Sequence, residues 1–573
     1  MPVASSTASG PRLVSALAKG GNWLYPLAVA IVLAVFWLAY PQICSPKLDS
    51  PTYDEPIFIA AGIYILHQAD YSLGLQHPPL AKILIAIPTE SMELDIPTPG
   101  KILEDNFEAD KKNPAISRYV EDYPPEQLVR NPYYIGYHLI YDYNRWDADE
   151  IFARCRRVVQ LMHYILVFLV YLAARRLFNN TAALIAATIA LFDPNMVAHG
   201  HLCTTDIPAA LFAFAAFYFL IIAIESKNPS WLIILLWGIS LGLMCATKYS
   251  CLLFLIIHIG IFLWAFRHNF RLVITGIPSA LAVAFIVCLV IGEFSLSTYI
   301  ITIKQLLISL YKGRPSYLLG HFSASGFPFY YLATLLFKMP IGLLALTIMG
   351  IVVTACRCRS RVHTAGEIAL WLTTVIFLLS TIIFHSNNLG LRHILVIYPF
   401  LILIGISIIP RTSKFSMMTL AGVVLTVLFL IESVPAMRDS IPFFNWPSRK
   451  AAYAGKLLAD SNIDWGQDLG RLANFCIIND VRHLHLRYFG TADPYFHLSG
   501  IPNLTLDIMG PKYNNNPGPP GWYAISLQRS LGVREKSKEP GNWAEPLGWL
   551  RETEPYARAG GSILIYHYQP AGR

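Results

Sequence analysis

The feature that most limits what this chain can fold into is a succession of apolar stretches, each about 20 residues long, parted mostly by short polar turns. About 20 apolar residues in a helix cross a ~30 Å hydrocarbon core, and only a helix satisfies its own backbone there. About eleven such spans can be placed, over 23–43, 157–177, 181–197, 207–224, 230–246, 250–266, 272–292, 330–355, 367–384, 391–409 and 415–434. The third is short and follows the second closely, so a re-entrant arrangement is one option there. The chain is therefore expected to be a polytopic α-helical membrane protein. Only 14% of its 573 residues are charged, against roughly 25% in soluble domains. The first run is long enough to remain as a span behind Arg12 and Lys19 rather than be cleaved as a signal. The nine cysteines lack paired spacing, and Cys356 and Cys358 have no partners for a zinc site.

Positive charge tests the topology. With a cytoplasmic N-terminus, the inner loops hold Arg175, Arg176, Lys227, Arg267, Arg271, Arg357, Arg359, Arg361, Arg411 and Lys414, against the acids Glu225 and Glu367. That asymmetry fits the positive-inside rule. It also accounts for much of the net charge of +8 without a nucleic-acid partner. Asp54, Asp206, Lys248, Arg392 and His393 then all fall on the outer face. Lys248 and Arg392 run against the charge trend there. Either could be a snorkelling cation; together with the acids they point to a shared site.

The expected organisation is a cytoplasmic tail (1–22), a membrane region (23–435) and an extracytoplasmic α/β domain (436–573). Within the membrane region, the first outer loop (44–156) should hold interfacial helices near 56–68 and 79–88. The second (293–329) should hold another near 298–311. The last domain shows helical patterning near 448–478, β-rich runs such as 563–566, and an Asn/Pro/Gly loop at 514–520.

Tyr53-Asp54-Glu55, His77-Pro78-Pro79-Leu80-Ala81-Lys82, Asp193-Pro194-Asn195, Ala198-His199-Gly200 and Thr204-Thr205-Asp206 occur in that order. Tyr317-Leu318-Leu319-Gly320, Lys338-Met339-Pro340, Asn388-Leu389-Gly390-Leu391-Arg392-His393 and Asp460-Ser461-Asn462-Ile463-Asp464-Trp465-Gly466-Gln467-Asp468-Leu469 follow. The ordered set resembles the protein O-mannosyltransferase and aminoarabinose-transferase group of membrane glycosyltransferases, and the last three motifs resemble its bacterial members. The resemblance implies the GT-C fold, a polyprenyl-phosphate-linked sugar donor (undecaprenyl or dolichyl), and transfer of one sugar with inversion to a protein, lipid or glycan acceptor. It also implies a plasma-membrane location. Two departures stand out. The loop 293–329 is too short for the β-trefoil of the eukaryotic mannosyltransferases, and His77 stands where the aminoarabinose transferases have Lys.

Such chemistry needs a carboxylate to take the acceptor hydroxyl's proton, and cations or a metal to neutralise the leaving phosphate. The carboxylates on offer are Asp54, Glu55 and Asp206. The resemblance makes Asp54 the general base, with Glu55 supporting it or binding sugar. The expected phosphate contacts are His77, Lys82, Arg154, Lys248, Lys338, Arg392 and His393. Arg392 suits bidentate recognition. Arg154 is favoured over its neighbours Arg156 and Arg157, although the register is ambiguous. Lys338 would sit at a cost of ~2.5–3.5 kcal/mol within a span unless it faces a polar cavity; the alternative is that the span begins at Met339. Asp206 resembles the second acidic position, near metal or phosphate, and could also cap its helix. A divalent ion (Mg, Mn or Zn) there is an option, and no organic cofactor is expected. His199 and His201 read as hydrogen-bonded histidines rather than ligands. Asp464 and Trp465 are outer-domain candidates, with sugar stacking or domain packing as alternatives. A transporter or flippase, and a non-catalytic receptor for lipid-linked sugars, are the competing readings.

Overall fold

The computed structural model describes residues 24–43, 48–226, 228–292, 300–301, 303–304, 307–308, 314–358, 364–384, 387–411, 416–509, 518–531 and 553–569. The tail 1–22, the cations Lys227, Arg359, Arg361 and Lys414, and much of the helix expected near 298–311 lie outside the described residues, as does 514–517 of the Asn/Pro/Gly loop.

The chain begins with α1 (Leu24–Ile43), α2 (Glu55–Gln68) and α3 (Leu80–Ala86). After several short helical turns come α4 (Ala148–Leu177), α5 (Asn180–Phe192), α6 (Pro194–His199), α7 (Asp206–Ser226), α8 (Trp231–Cys245), α9 (Leu252–Ala265) and α10 (Phe270–Ile291). Then follow α11 (Tyr330–Lys338), α12 (Ile341–Cys358), α13 (Ala365–Ile383), a 3-10 run (Leu391–Ile397) leading into α14 (Tyr398–Ile406), and α15 (Met417–Ser433). Among the described residues, five helices are long and apolar enough to cross a membrane, within Arg145–Leu177, Asp206–Ser226, Phe270–Ile291, Ala365–Ile383 and Met417–Arg438. Shorter apolar helices occupy the other expected spans. Large apolar side chains such as Leu27, Ile31, Phe285, Ile286, Val352 and Val427 face outward, as lipid-facing positions do. The protein is a multi-pass membrane protein.

Two expected spans are broken, for local reasons. Asp193 ends the third: its Oδ1 accepts from the backbone N–H of Asn195 and Met196, capping the new helix that Pro194 opens at its first position. The eighth is split at Met339-Pro340, where proline cannot continue the ladder. Packing elsewhere follows side-chain size. Gly238 and Gly242, four apart on α8, meet Ala280 and Ala284 on α10, where a Cβ on either glycine would fall 2.8 Å from a backbone oxygen. That is small-residue packing of membrane helices.

The charges sort to opposite ends of the bundle. At one end Arg176 pairs with Glu225 (2.7 Å) and Arg411 with Glu367 (2.8 Å), so both acids of the expected inner loops are spent on loop arginines. At the other end sits the C-terminal α/β unit. Its sheet has the order β4-β3-β5-β7-β6, built from β3 (His483–Arg487), β4 (Thr505–Ile508), β5 (Gly521–Ser526), β6 (Ala557–Ala559) and β7 (Ile563–Tyr568). Strands β4, β3 and β5 are parallel, and β7 is antiparallel to both β5 and β6. The patterning near 448–478 resolves into Trp446–Tyr453 and α16 (Leu469–Ile478). The chain between them turns through left-handed Gly455, Asp460 and Gly466. In the second outer loop, Ser316–Leu318 and His321–Ser323 form the hairpin β1–β2. It is tied to this unit by Leu319 N–H to Leu457 O (2.8 Å) and Tyr317 Oη–H to Gly455 O (2.5 Å).

Candidate active site

Four turns converge where the bundle meets the C-terminal unit, and each carries a residue singled out above. Asp54 precedes α2, yet its side chain makes no capping bond to that helix. It accepts instead from Arg392 Nη1 at 2.6 Å. Lys248, in the turn between α8 and α9, donates to Asp206 Oδ1 at 2.6 Å, and Thr204 Oγ1 donates to Asp206 Oδ2 at 3.2 Å. Residues separated by more than 330 positions in sequence thus share one site.

Asp54, Lys248 and Arg392 line a cavity of about 300 Å³, together with His77, His393, Arg314, Tyr133 and Asn387. Three fixed cations face one lining carboxylate, with Asp206 bonded behind Lys248. The surplus is positive, as an anionic ligand requires. His77 is not a further cation: burial, reinforced by Lys248, pushes its pKa down to about 3. A neutral imidazole there offers one donor and one acceptor. Among the described residues, Arg392 Nε and His77 Nδ1 are buried without hydrogen-bond partners.

Glu55 has a different task. It is fully buried and outside the cavity lining. Arg156 grips it through Nε (2.8 Å) and Nη2 (2.7 Å), while Thr52 N–H (2.8 Å) and Cys203 N–H (3.0 Å) donate to it. Burial alone would raise its pKa; the guanidinium and these hydrogen bonds outweigh that and hold it below the ordinary glutamate value. Glu55 therefore joins the Asp54 turn, α4 and the turn before α7. Both of its oxygens are engaged in that network.

Several expected phosphate contacts lie elsewhere. Arg154 is on the open flank of α4, bonded to Glu150 and to Ser91 Oγ (3.0 Å). Two residues along a helix is a rotation of ~200°, so it is Arg156 that faces inward, and Arg157 caps the ring of Trp37 on α1 at 4.2 Å. Lys82 is buried, with burial lowering its pKa to about 7. It donates to Gly74 O (3.1 Å) and Leu73 O (3.4 Å), holding the turn that presents His77. Lys338 is likewise buried and donates to Ile441 O (2.8 Å) and Asn462 O (2.6 Å), with the Phe444 ring 4.8 Å away. It staples α11 to the C-terminal unit, in line with a span that begins after it. Lys338→Met is expected to lower thermal stability by ~1–3 kcal/mol, the scale of a buried acceptor left unmade. Thermal unfolding in detergent checks it.

Asp464 and Trp465 do not line the cavity. Burial pushes the Asp464 carboxyl up to about 7, and it accepts from Gln528 N–H (2.8 Å) inside the C-terminal unit. Trp465 is 2% exposed and lies against Arg392, with the guanidinium carbon 4.4 Å from its ring. His201 bonds Val197 O (2.9 Å) and sits 3.4 Å from Asp49, while the buried His199 packs near Trp465. Both oxygens of Asp206 are engaged, by Lys248 and Thr204, and no group of three or more His, Cys, Asp or Glu suited to a metal occurs among the described residues.

Sequence reasoning missed Arg314, Tyr133 and Asn387. Arg314 lies just before β1, between the helix expected near 298–311 and the Tyr317–Gly320 motif, and belongs to neither. Tyr133 is one of many tyrosines in the first outer loop, and nothing distinguishes it in one dimension. Asn387 adjoins a quoted motif, which was the available signal.

A family model described as dolichyl-phosphate-mannose-protein mannosyltransferase matches residues 151–292. This is the group that the ordered motifs resemble. No curated protein sequence matches the chain. Among solved structures, ArnT from Cupriavidus metallidurans is similar in the apo state, with 14% identity and TM-score 0.44, covering 94% of this chain and 97% of that one. The same protein bound to undecaprenyl phosphate gives 12% identity and TM-score 0.43 over the same shares. The Archaeoglobus fulgidus oligosaccharyltransferase in its apo form gives 11% identity and TM-score 0.44, covering 96% of this chain and 75% of that one.

Proposed function

We propose that the chain is an inverting glycosyltransferase that moves one sugar from a polyprenyl-phosphate donor to a hydroxyl-bearing acceptor on the extracytoplasmic face. The observation that carries this reading is the Asp54–Arg392 pair on a cation-lined cavity at one end of an apolar helix bundle. A carboxylate and a set of cations suited to a phosphate meet there. The mannosyltransferase family match supports the donor class, and the charge asymmetry of the loops supports the orientation.

In this reading the donor's phosphate lies against Arg392, Lys248 and Arg314, with His77 and His393 beside it. Asp54 takes the proton from the acceptor hydroxyl, whose oxygen bonds to the anomeric carbon as the bond from that carbon to the phosphate oxygen breaks. The electron pair leaves with the polyprenyl phosphate, and the fixed cations stabilise the charge that builds there. Phosphate is already a good leaving group, so no general acid is required. The acceptor oxygen attacks the anomeric carbon on the face opposite the departing phosphate, so one displacement inverts the anomeric centre. Asp54 is not used as a helix cap, which separates this reading from that of a passive receptor. The donor is proposed to carry mannose, another hexose or a modified pentose, and the acceptor is a protein, lipid or glycan.

The test is direct. Purified protein is given synthetic undecaprenyl-phosphate mannose or aminoarabinose with membrane extracts as acceptor, and released undecaprenyl phosphate and glycosylated product are followed by mass spectrometry. Stoichiometric release with one donor is the expected result; binding without release from any donor would leave only a receptor.

A further inference from the structure

The ten-residue motif beginning at Asp460 contributes no residue to the cavity lining, yet its contacts run to both halves of the Asp54–Arg392 pair. On the Arg392 side, Ser461 Oγ–H donates to Leu389 O (2.7 Å), and Leu391 N–H donates to Asn462 Oδ1 (3.0 Å). Gly390 between them adopts φ +98°, and a Cβ there would fall 2.3 Å from Ser461 Oγ. The turn entering Arg392 is therefore pinned on both sides of a residue with no room for a side chain. On the Asp54 side, Tyr53 N–H donates to Trp465 O (2.9 Å) and Ser50 N–H to Gln467 O (2.9 Å). Ser50 Oγ–H also donates to Gly466 O (2.8 Å). The Trp465 indole closes the gap between the halves, buried against Ala198, Leu202, Ile441 and Phe489 with its ring on the Arg392 guanidinium.

This strap is itself rigid. Trp465 N–H is held by Gln467 Oε1 (2.8 Å), Gln467 Nε2 donates to Ile463 O (3.0 Å), Asn462 Nδ2 donates to Tyr330 Oη (2.9 Å), and Lys338 holds Asn462 O. Its anchors lie in the C-terminal unit and in α11, not in the helices that carry Asp54 and Arg392.

We propose that the segment 461–467, centred on Trp465, is the positioning element of the site: it sets the distance between base and phosphate-binding arginine, and the Trp465 ring orients the Arg392 guanidinium toward the donor phosphate. The inference rests on the proposed glycosyltransferase reading. A planar cation on an aromatic face is held by the ring quadrupole while its N–H edges stay available. The C-terminal unit is then part of the catalytic apparatus rather than an appended acceptor-binding module.

Undecaprenyl phosphate, without a sugar, is the probe. In lipid nanodiscs, Trp465→Leu in the full chain is expected to bind it ~10-fold more weakly, the loss expected for a desolvated cation–π contact. Trp465→Phe, which keeps an aromatic face, returns to within ~3-fold. A merely structural Trp465 would show no such rescue pattern in affinity once both variants have the wild-type melting profile. Where Trp465→Leu fails to fold, Ser461→Ala removes only the hydroxyl on Leu389 O and is expected to weaken binding ~3-fold. Wild-type affinity in folded Trp465→Leu, or in Ser461→Ala if that is the one that folds, overturns the inference alone. No binding by the wild type overturns the glycosyltransferase reading on which it rests.

Discussion

Asp54→Asn is expected to slow sugar transfer by ~10²–10⁴-fold, the range lost with a general base, while leaving the fold and the donor site in place. The amide matches the carboxylate in size, so Arg392 keeps a neighbour of the same shape on its Trp465 platform. What disappears is the proton acceptor and one negative charge. The sign of the second effect is informative. Removing a carboxylate from a cavity that also holds Lys248 and Arg314 makes it more positive, so undecaprenyl-phosphate binding should be equal or tighter. A structural role for Asp54 predicts the opposite, because a loosened Arg392 would bind the phosphate less well. Single-turnover transfer and a binding titration on the same preparation separate the two. Undiminished turnover would remove Asp54 from its assigned role, and weakened binding would make it a positioning residue.

The parts of the molecule that were readable in one dimension are those whose causes are local. Runs of apolar residues report helices, and the sign of loop charges reports which loops share an end of the bundle, without reference to any distant contact. Asp54, Lys248 and Arg392 were readable for a related reason: a charge at a membrane boundary is costly unless it is paired or functional, and the structure pairs all three. What failed depends on rotation and on partners far away in sequence. Arg154 and Arg156 differ by half a turn of α4, and only the packing of that helix decides which one meets Glu55. Lys338 carries the same charge as Lys248, but its partners are the backbone carbonyls of Ile441 and Asn462, over a hundred residues on. No residue type advertises a free carbonyl. Trp465 was left between sugar stacking and packing, and the structure places it on Arg392 in a buried setting.

The Glu55–Arg156 pair offers the largest expected effect on stability. Both side chains are at most 6% exposed, and the Glu55 carboxylate accepts hydrogen bonds from Thr52, Cys203 and Arg156. Glu55→Gln leaves a buried guanidinium without its counter-charge, and Arg156→Met leaves a buried carboxylate without its own. Removing one partner of a buried pair costs ~3–5 kcal/mol. The double variant Glu55→Gln/Arg156→Met should recover much of that, because neither charge is then stranded, and the recovery measures the coupling. The pH dependence has a definite sign. Glu55 is held below the ordinary glutamate pKa in the folded state, so its contribution is complete above the unfolded value of ~4.3 and is lost as pH falls through the lower folded value. Thermal unfolding of wild type between pH 7 and pH 3 should show this acid loss, and Glu55→Gln should show less of it. A single variant as stable as the wild type, or a double variant as unstable as the two losses summed, would mean that Glu55 does not hold the Asp54 turn through Arg156. The support for Asp54 would then have to come from the strap alone.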